Sequence, residues 1–199
     1  ELVRKRAEAE AAIADARKSH ERLREAIDIL PQGIVFLDAE GRYILWNRKY
    51  AELYARSADL FKPGARLADT IRVGGARGDY PEAEGREEEW IAERLGRMHQ
   101  PGGRHEQTLA DGRVVLIEER LTSDGGVIGL RVDITELKQR EASFRLLFDS
   151  NPVPMIVCAL DGERILDVND AAVEHYGYSR AEFEKLGIRA LQAFDSELP

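Results

Sequence analysis

Cysteine is almost missing from this 199-residue chain. Cys158 is the single one, so an intramolecular disulfide is impossible and a reducing cytoplasm is the natural setting. Long apolar runs are missing too. Nothing approaches the roughly 18 to 20 apolar residues that cross a bilayer, and the opening ELVRKRAEAE lacks the apolar centre of a signal peptide. Membrane segments elsewhere in a longer parent protein stay open, but this stretch is expected to make no membrane contact. Basic residues are in deficit. The net charge of -8 argues against nucleic acid as the main partner, because phosphate binding calls for a basic surface.

Patterns that carry chemistry are equally scarce. The glycine run VGGARG (73–78) has no Gly-Lys-Ser/Thr, so it reads as a flexible loop and not as a phosphate cradle. His20, His99, His105 and His175 are scattered without metal-ligand spacing. The glutamates at 87–89 suit a solvated helix face. No catalytic residue and no metal ligand is expected.

What is present begins with a helix. Residues 1–30 are nearly all helix formers, without Gly, and Pro31 ends them. Leu2, Ala9, Ala16, Leu23 and Leu30 recur every seven residues, and Arg6, Ile13, His20 and Ile27 form a second seam four residues on. Ala, Arg and His at core positions make the coiled coil weak. The pattern predicts a helix that dimerises through Leu2, Ala9, Ile13, Ala16, His20, Leu23, Ile27 and Leu30, with help from the domain after Pro31. An amphipathic helix packed on its own domain, or a solvated tail, is the alternative.

Beyond Pro31 the texture turns to sheet. GIVFLD (33–38) and RYILW (42–46) flank a turn at Ala39-Glu40-Gly41, and Asn47 is placed to cap a short helix after them. Irregular helical patches come next. Residues 87–103 then read as a helix with Glu at its start and Arg94 and Arg97 toward its end, matching the dipole, while Ile91, Leu95 and Met98 share a face. RHEQTLA, RVVLIEERL and VIGLRVDI are three strand candidates, divided by Asp111-Gly112 and Asp124-Gly125-Gly126. In the last of them Ile128, Leu130, Val132 and Ile134 alternate with Val127, Gly129, Arg131 and Asp133, and the first set reads as the buried face. The order predicts an α+β fold with a five-stranded antiparallel sheet.

The chain also repeats itself. ILPQGIVFLDAEGRYILWNRKYAELY (29–54) has a counterpart in SNPVPMIVCALDGERILDVNDAAVEHY (150–176), with Asn47 to Tyr54 and Asn169 to Tyr176 equally spaced. The second copy stops at residue 199 before any counterpart of the last three strands, as a piece of a longer protein would. Ser179 and Glu182 form a capping-box pattern within it.

GIVFLDAEGRYILWN, LADGRVVLIEERLTSDGGVIGLRVDITELKQRE and NPVPMIVCALDGERILDVNDAAVEHYGYSRAEF together resemble the PAS family of bacterial sensor domains. The resemblance implies a PAS fold with helices on one sheet face, preceded by the long helix. It divides the chain into a dimerisation helix (1–30), a PAS domain (31–135), a linker helix (136–150) and a partial second PAS domain (151–199). It implies that Asp133, Ile134 and Thr135 pass a signal to the linker helix. Together with the single cysteine, the missing catalytic residues and the heptads, this predicts a cytoplasmic, homodimeric signalling module that is not itself an enzyme. Its output would be a histidine kinase of a two-component system or an enzyme of cyclic di-GMP turnover. A constitutive dimerisation or protein-recruiting adaptor is the alternative. No flavin is expected, since Cys158 sits in a strand. A haem has only His99 as a candidate, and its place beside Pro101 suits an exposed cap. No cofactor is assigned. An unknown small apolar ligand would lie among Ile34, Phe36, Ile44, Trp90, Leu95, Val115, Ile117, Ile128 and Leu130, although these side chains could equally fill a packed core.

Overall fold

The computed structural model describes residues 2–98, 100, 103–160, 164–186, 188 and 191, with the side chains at 2, 3, 5 and 7–9 outside that description. It divides into two units, Glu1–Thr135 and Glu136–Pro199.

The first unit opens with helix α1 (Leu2–Asp28). Arg6–Glu10 and Arg17–Glu21 pairs one turn apart line its surface. Of the described seam residues only Ile27 is buried; Ile13 and Leu23 are 68% and 50% exposed, Ala16 and His20 are exposed, and Leu30 lies beyond the helix end. Leu2 and Ala9 have side chains outside the description.

Strands β1 (Gly33–Leu37) and β2 (Tyr43–Trp46) form the first hairpin. Its turn places Gly41 at φ 71°, a conformation costly for a residue with a Cβ. Helices α2 (Arg48–Leu53), α3 (Leu67–Ala76) and α4 (Glu87–Met98) come next, with 3-10 turns at Ala55–Leu60 and Pro81–Ala83. Strands β3 (Arg104–Thr108), β4 (Val114–Leu121) and β5 (Val127–Asp133) complete the unit. All pairings are antiparallel, in the order β2-β1-β5-β4-β3. Sheet and helices are thus those the sequence predicts.

The two faces of the sheet differ from the prediction. The main core packs Val35, Leu37, Val115, Ile117 and Val127 of the sheet against Tyr50, Leu53, Ile71, Tyr80, Trp90 and Ile91. Ile34, Leu45, Phe36 and Leu130 pack on Ile27 of α1 in a separate cluster. On β5 the inward set is therefore Val127, Gly129 and Arg131, not Ile128, Leu130 and Val132, the last of which is exposed. The alternation is real but inverted. Because the side-chain period is two, a reading that lets the more apolar set choose the face turns every side chain over when the core holds a charge.

The second unit contains α5 (Thr135–Asp149, whose first residue closes unit 1), β6 (Ile156–Cys158), β7 (Ile165–Val168), α6 (Asp170–Tyr176) and α7 (Arg180–Phe183). Ile165, Val168, Ala172 and Phe183 form its core. Cys158 is partly buried in β6, and the capping box of Ser179 and Glu182 is formed.

The repeat has a physical basis in its two asparagines. Asn47 Oδ1 accepts from Ile34 N (2.8 Å) and Tyr50 N (3.0 Å), while Nδ2 donates to the carbonyls of Ile27 and Gln32 (both 2.8 Å). Asn169 accepts from Met155 N and Ala172 N (both 2.9 Å) and donates to the carbonyls of Phe148, Asn151 and Val153 (3.1, 3.2 and 2.9 Å). In each copy one amide closes the helix cap, the strand start and the incoming chain at once, which demands both a donor and an acceptor.

Candidate functional site

Three charged side chains are buried between the sheet and α4. Arg94, Glu119 and Arg131 are 5%, 3% and 1% exposed. Arg94 donates both terminal nitrogens to Glu119 (3.0 and 2.7 Å), and Arg131 Nη2 donates to the same carboxylate at 2.8 Å. Arg131 Nη1 donates to the Leu130 carbonyl at 3.0 Å. The sequence suggests Arg94 as a dipole partner toward the end of α4. It turns inward instead, since its fork finds a matching carboxylate there.

Local sequence makes this possible. Glu119 continues the inward parity of Val115 and Ile117 on β4, and Arg131 that of Val127 and Gly129 on β5. A Cβ at Gly129 would stand 2.8 Å from Arg131 Nη1, so the absent side chain provides the slot in which the guanidinium lies.

Around the triad stand hydroxyl-bearing and amide side chains. Tyr43 and Tyr50 oxygens are 3.4 Å apart, Tyr54 donates to Gln107 Oε1 at 3.1 Å, and the Arg131 guanidinium lies 5.9 Å from the Tyr50 ring centre. Tyr43, Tyr50, Tyr54, Thr70, Tyr80, Arg94, Gln107 and Arg131 help line a cavity of about 10 Å³. That is room for about one water. Burial pushes the Tyr43 hydroxyl up to about 12 and raises Tyr50 and Tyr80 well above the usual phenol range, so all three are neutral. Burial would also raise Glu119, but the charges of Arg131 and Arg94 outweigh it and hold the carboxyl down to about 2. Burial likewise opposes the charge on Arg131, but the Glu119 carboxylate that accepts from it outweighs this and keeps the guanidinium protonated.

The nine expected ligand-pocket residues are not brought together. Val115, Ile117 and Trp90 lie in the main core, with Leu95 packed on it. Ile34, Phe36 and Leu130 belong to the opposite face, as does Ile128 by its place in the strand. Ile44 is 54% exposed, because the register shift between β1 and β2 leaves it unpaired. Sequence reasoning misses the polar lining. Its signal is nonetheless there: a Glu and an Arg at the buried parity of consecutive strands in a hairpin. His99 lies outside the described residues. Among the described residues no group of three or more His, Cys, Asp or Glu side chains could hold a metal, and no helix is long and apolar enough to cross a membrane.

The three relay residues sit at the end of β5. Asp133 Oδ1 accepts from Thr135 N (3.0 Å) and from its hydroxyl (2.5 Å). Thr135 Oγ1 in turn accepts from Val114 N at 2.9 Å, and Ile134 N donates to the Val114 carbonyl at 2.9 Å. The start of β4 is thus held through both backbone groups of Val114 by Ile134 and by Thr135, the first residue of α5.

Known families match both units. Residues 27–142 match a family described as PAS fold, and residues 142–199 one described as PAS domain. The non-motile and phage-resistance protein of Caulobacter vibrioides is 30% identical over 136 residues, covering 67% of this chain and 14% of that protein. The chain therefore corresponds to a small part of that curated relative. The PAS domain of Bordetella pertussis BvgS aligns with a TM-score of 0.41 and 24% identity over 65% of this chain and 98% of its own. A domain of a sensory box sensor histidine kinase/response regulator from Geobacter sulfurreducens gives 0.37 and 22% over 58% and 94%.

Proposed function

The chain belongs to the PAS family, and from that membership we propose that it is a sensory and regulatory module of a bacterial signalling protein. In this reading unit 1 receives a cue in its polar core, and α1 pairs with α1 of a second copy. The change passes through α5 to an output domain, a histidine kinase or an enzyme making or degrading cyclic di-GMP. The module itself performs no chemistry.

The observation that carries this reading is the closeness of the buried charge to the helix junction. Arg131 is two residues before Asp133, whose carboxylate holds Thr135, the first residue of α5. A shift of Arg131 toward or away from Glu119 moves the strand end that the clamp on Val114 ties to the helix start. Two packings of similar energy are enough for such a switch.

Asp133→Ala and Thr135→Ala in the full-length protein test it, with thermal melts as control. Altered output from a folded protein supports the relay. Unchanged output in both variants defeats it.

The second reading is a constitutive dimerisation or adaptor platform without a ligand, favoured by the small volume of the core cavity, about 10 Å³. Native mass spectrometry separates the two: a co-purifying small molecule favours sensing, and an empty domain favours the platform.

A further inference from the structure

The core of unit 1 carries an unbalanced charge. Arg94 and Arg131 share one carboxylate, Glu119, which leaves the buried triad with an excess positive charge. The other buried carboxylate, Asp79, is occupied by Ser57 and Arg56. Burial of an unmatched charge is costly, and a partner group is the usual remedy. Arg131 also has a donor to spare: among the described residues its buried Nε finds no hydrogen-bond acceptor.

Tyr54 and Tyr80 line the Arg131 cavity and also a second cavity of about 40 Å³, which Arg56, Asp79, Asp111 and Arg113 help to line. Both side chains therefore border both cavities. Tyr54 is half-buried, and its hydroxyl is held by Gln107 at 3.1 Å. Swinging that one side chain aside would free the volume of a phenol ring next to Tyr50, whose ring centre lies 5.0 Å from that of Tyr54.

We infer that unit 1 binds a small aromatic monocarboxylate, its ring replacing that of Tyr54 and its carboxylate seated against Arg131. This rests on the reading of unit 1 as a sensory domain and names the chemistry of the cue. A single negative charge neutralises the excess; a neutral isostere of the same shape leaves it. The planar anion also suits the guanidinium edge, which a carboxylate can approach in its own plane. Tyr43, Tyr50 and Tyr80, kept neutral by burial, supply surfaces on which a ring can rest in offset or edge-on contact.

The test uses benzoate and its neutral isostere benzamide on the whole chain, read by calorimetric titration at pH 7.5. Benzoate is expected to bind at least about tenfold more tightly than benzamide. Tyr54→Ala, which removes the ring the ligand would replace, is expected to tighten benzoate by about tenfold or more, since the space no longer has to be vacated first. Arg131→Met is expected to abolish the preference for benzoate; should that variant not fold, the Tyr54→Ala comparison decides. Equal affinity of benzoate and benzamide in both the natural chain and Tyr54→Ala, or undiminished benzoate preference in folded Arg131→Met, overturns the inference. Asp133→Ala still altering output in that case would leave the relay standing and remove only the ligand class.

Discussion

Arg131 on β5 reaches diagonally across the sheet to Glu119 on β4, with Nη2 2.8 Å from Oε1 and both residues almost fully buried. Their strands pair Ile117 with Arg131 and Glu119 with Gly129, so the two side chains are inward diagonal neighbours. Glu119→Ala would leave two buried guanidiniums without their shared carboxylate. The expected cost is about 3–5 kcal/mol, the range for breaking a buried ion pair from one side. Urea titration of the variant checks this. A loss below about 1 kcal/mol would mean that water already reaches the triad.

Much of the fold is open to reading from the sequence, and the reasons are local. The hairpins carry Gly at turns that need positive φ, such as Gly112 and Gly125 at 83° each. Asn47 and Asn169 announce the repeat because the same amide solves the same closure twice. The polar core is hidden by the very signal used to find strands. Ile128 and Leu130 are apolar on the face that meets Ile27 of α1, whereas Gly129 and Arg131 face the interior. Hydropathy ranks the faces correctly only when the core is hydrocarbon. It cannot register that Arg131 is matched by Glu119 twelve residues earlier.

Stability should fall as the medium is acidified, in two stages. Burial, then the positive charge of Arg94, depresses His105 from 6.5 to about 4, with Glu119 opposing. Its Nε2 is buried and has no partner among the described residues. Between pH 6.5 and about 4 the unfolded chain therefore binds a proton that the folded one refuses, so stability drops as pH falls through that window. Glu119 adds a second loss from 4.5 toward about 2, where its folded carboxyl finally protonates. Melting temperatures measured from pH 7.5 downward should show His105→Gln flattening the first stage and leaving the second. An unchanged first stage would assign it to another group.

Asn47 and Asn169 should be the least replaceable polar residues of their units. Asn47→Asp keeps the acceptor for Ile34 N and Tyr50 N but loses the donors to Ile27 and Gln32. Asn47→Ala loses all four bonds. The expected order of stability is natural chain, then Asp, then Ala, with about 1–3 kcal/mol for each buried group that water does not reach. Equal chemical-denaturation midpoints for Asp and the natural residue would show that the donor half is dispensable.

The exposed seam of α1 predicts an association state. Ile13 and Leu23 are open to solvent in this chain, so replacing both with Glu should not unfold unit 1. Each would remove about 1.5–3 kcal/mol of burial from a paired helix and add charge repulsion. Light scattering is expected to give a dimer for the natural chain and a monomer for the double variant. A dimer mass retained by the variant would place the contact elsewhere.

Gly129 is the position where one methyl group reports on the charged core. Its added Cβ would lie 2.8 Å from Arg131 Nη1 and 2.9 Å from Val35 Cγ1, both closer than real contacts allow. Gly129→Ala therefore forces the guanidinium out of its slot, and overpacking of this kind costs about 1–3 kcal/mol. The nearest obstacle belongs to Arg131, so the same substitution in an Arg131→Met background should cost markedly less. A double-mutant cycle by urea denaturation isolates that coupling, expected at about 0.5–3 kcal/mol. Strict additivity would mean that Val35 and the backbone set the constraint, and that Gly129 is there for the strand and not for the arginine.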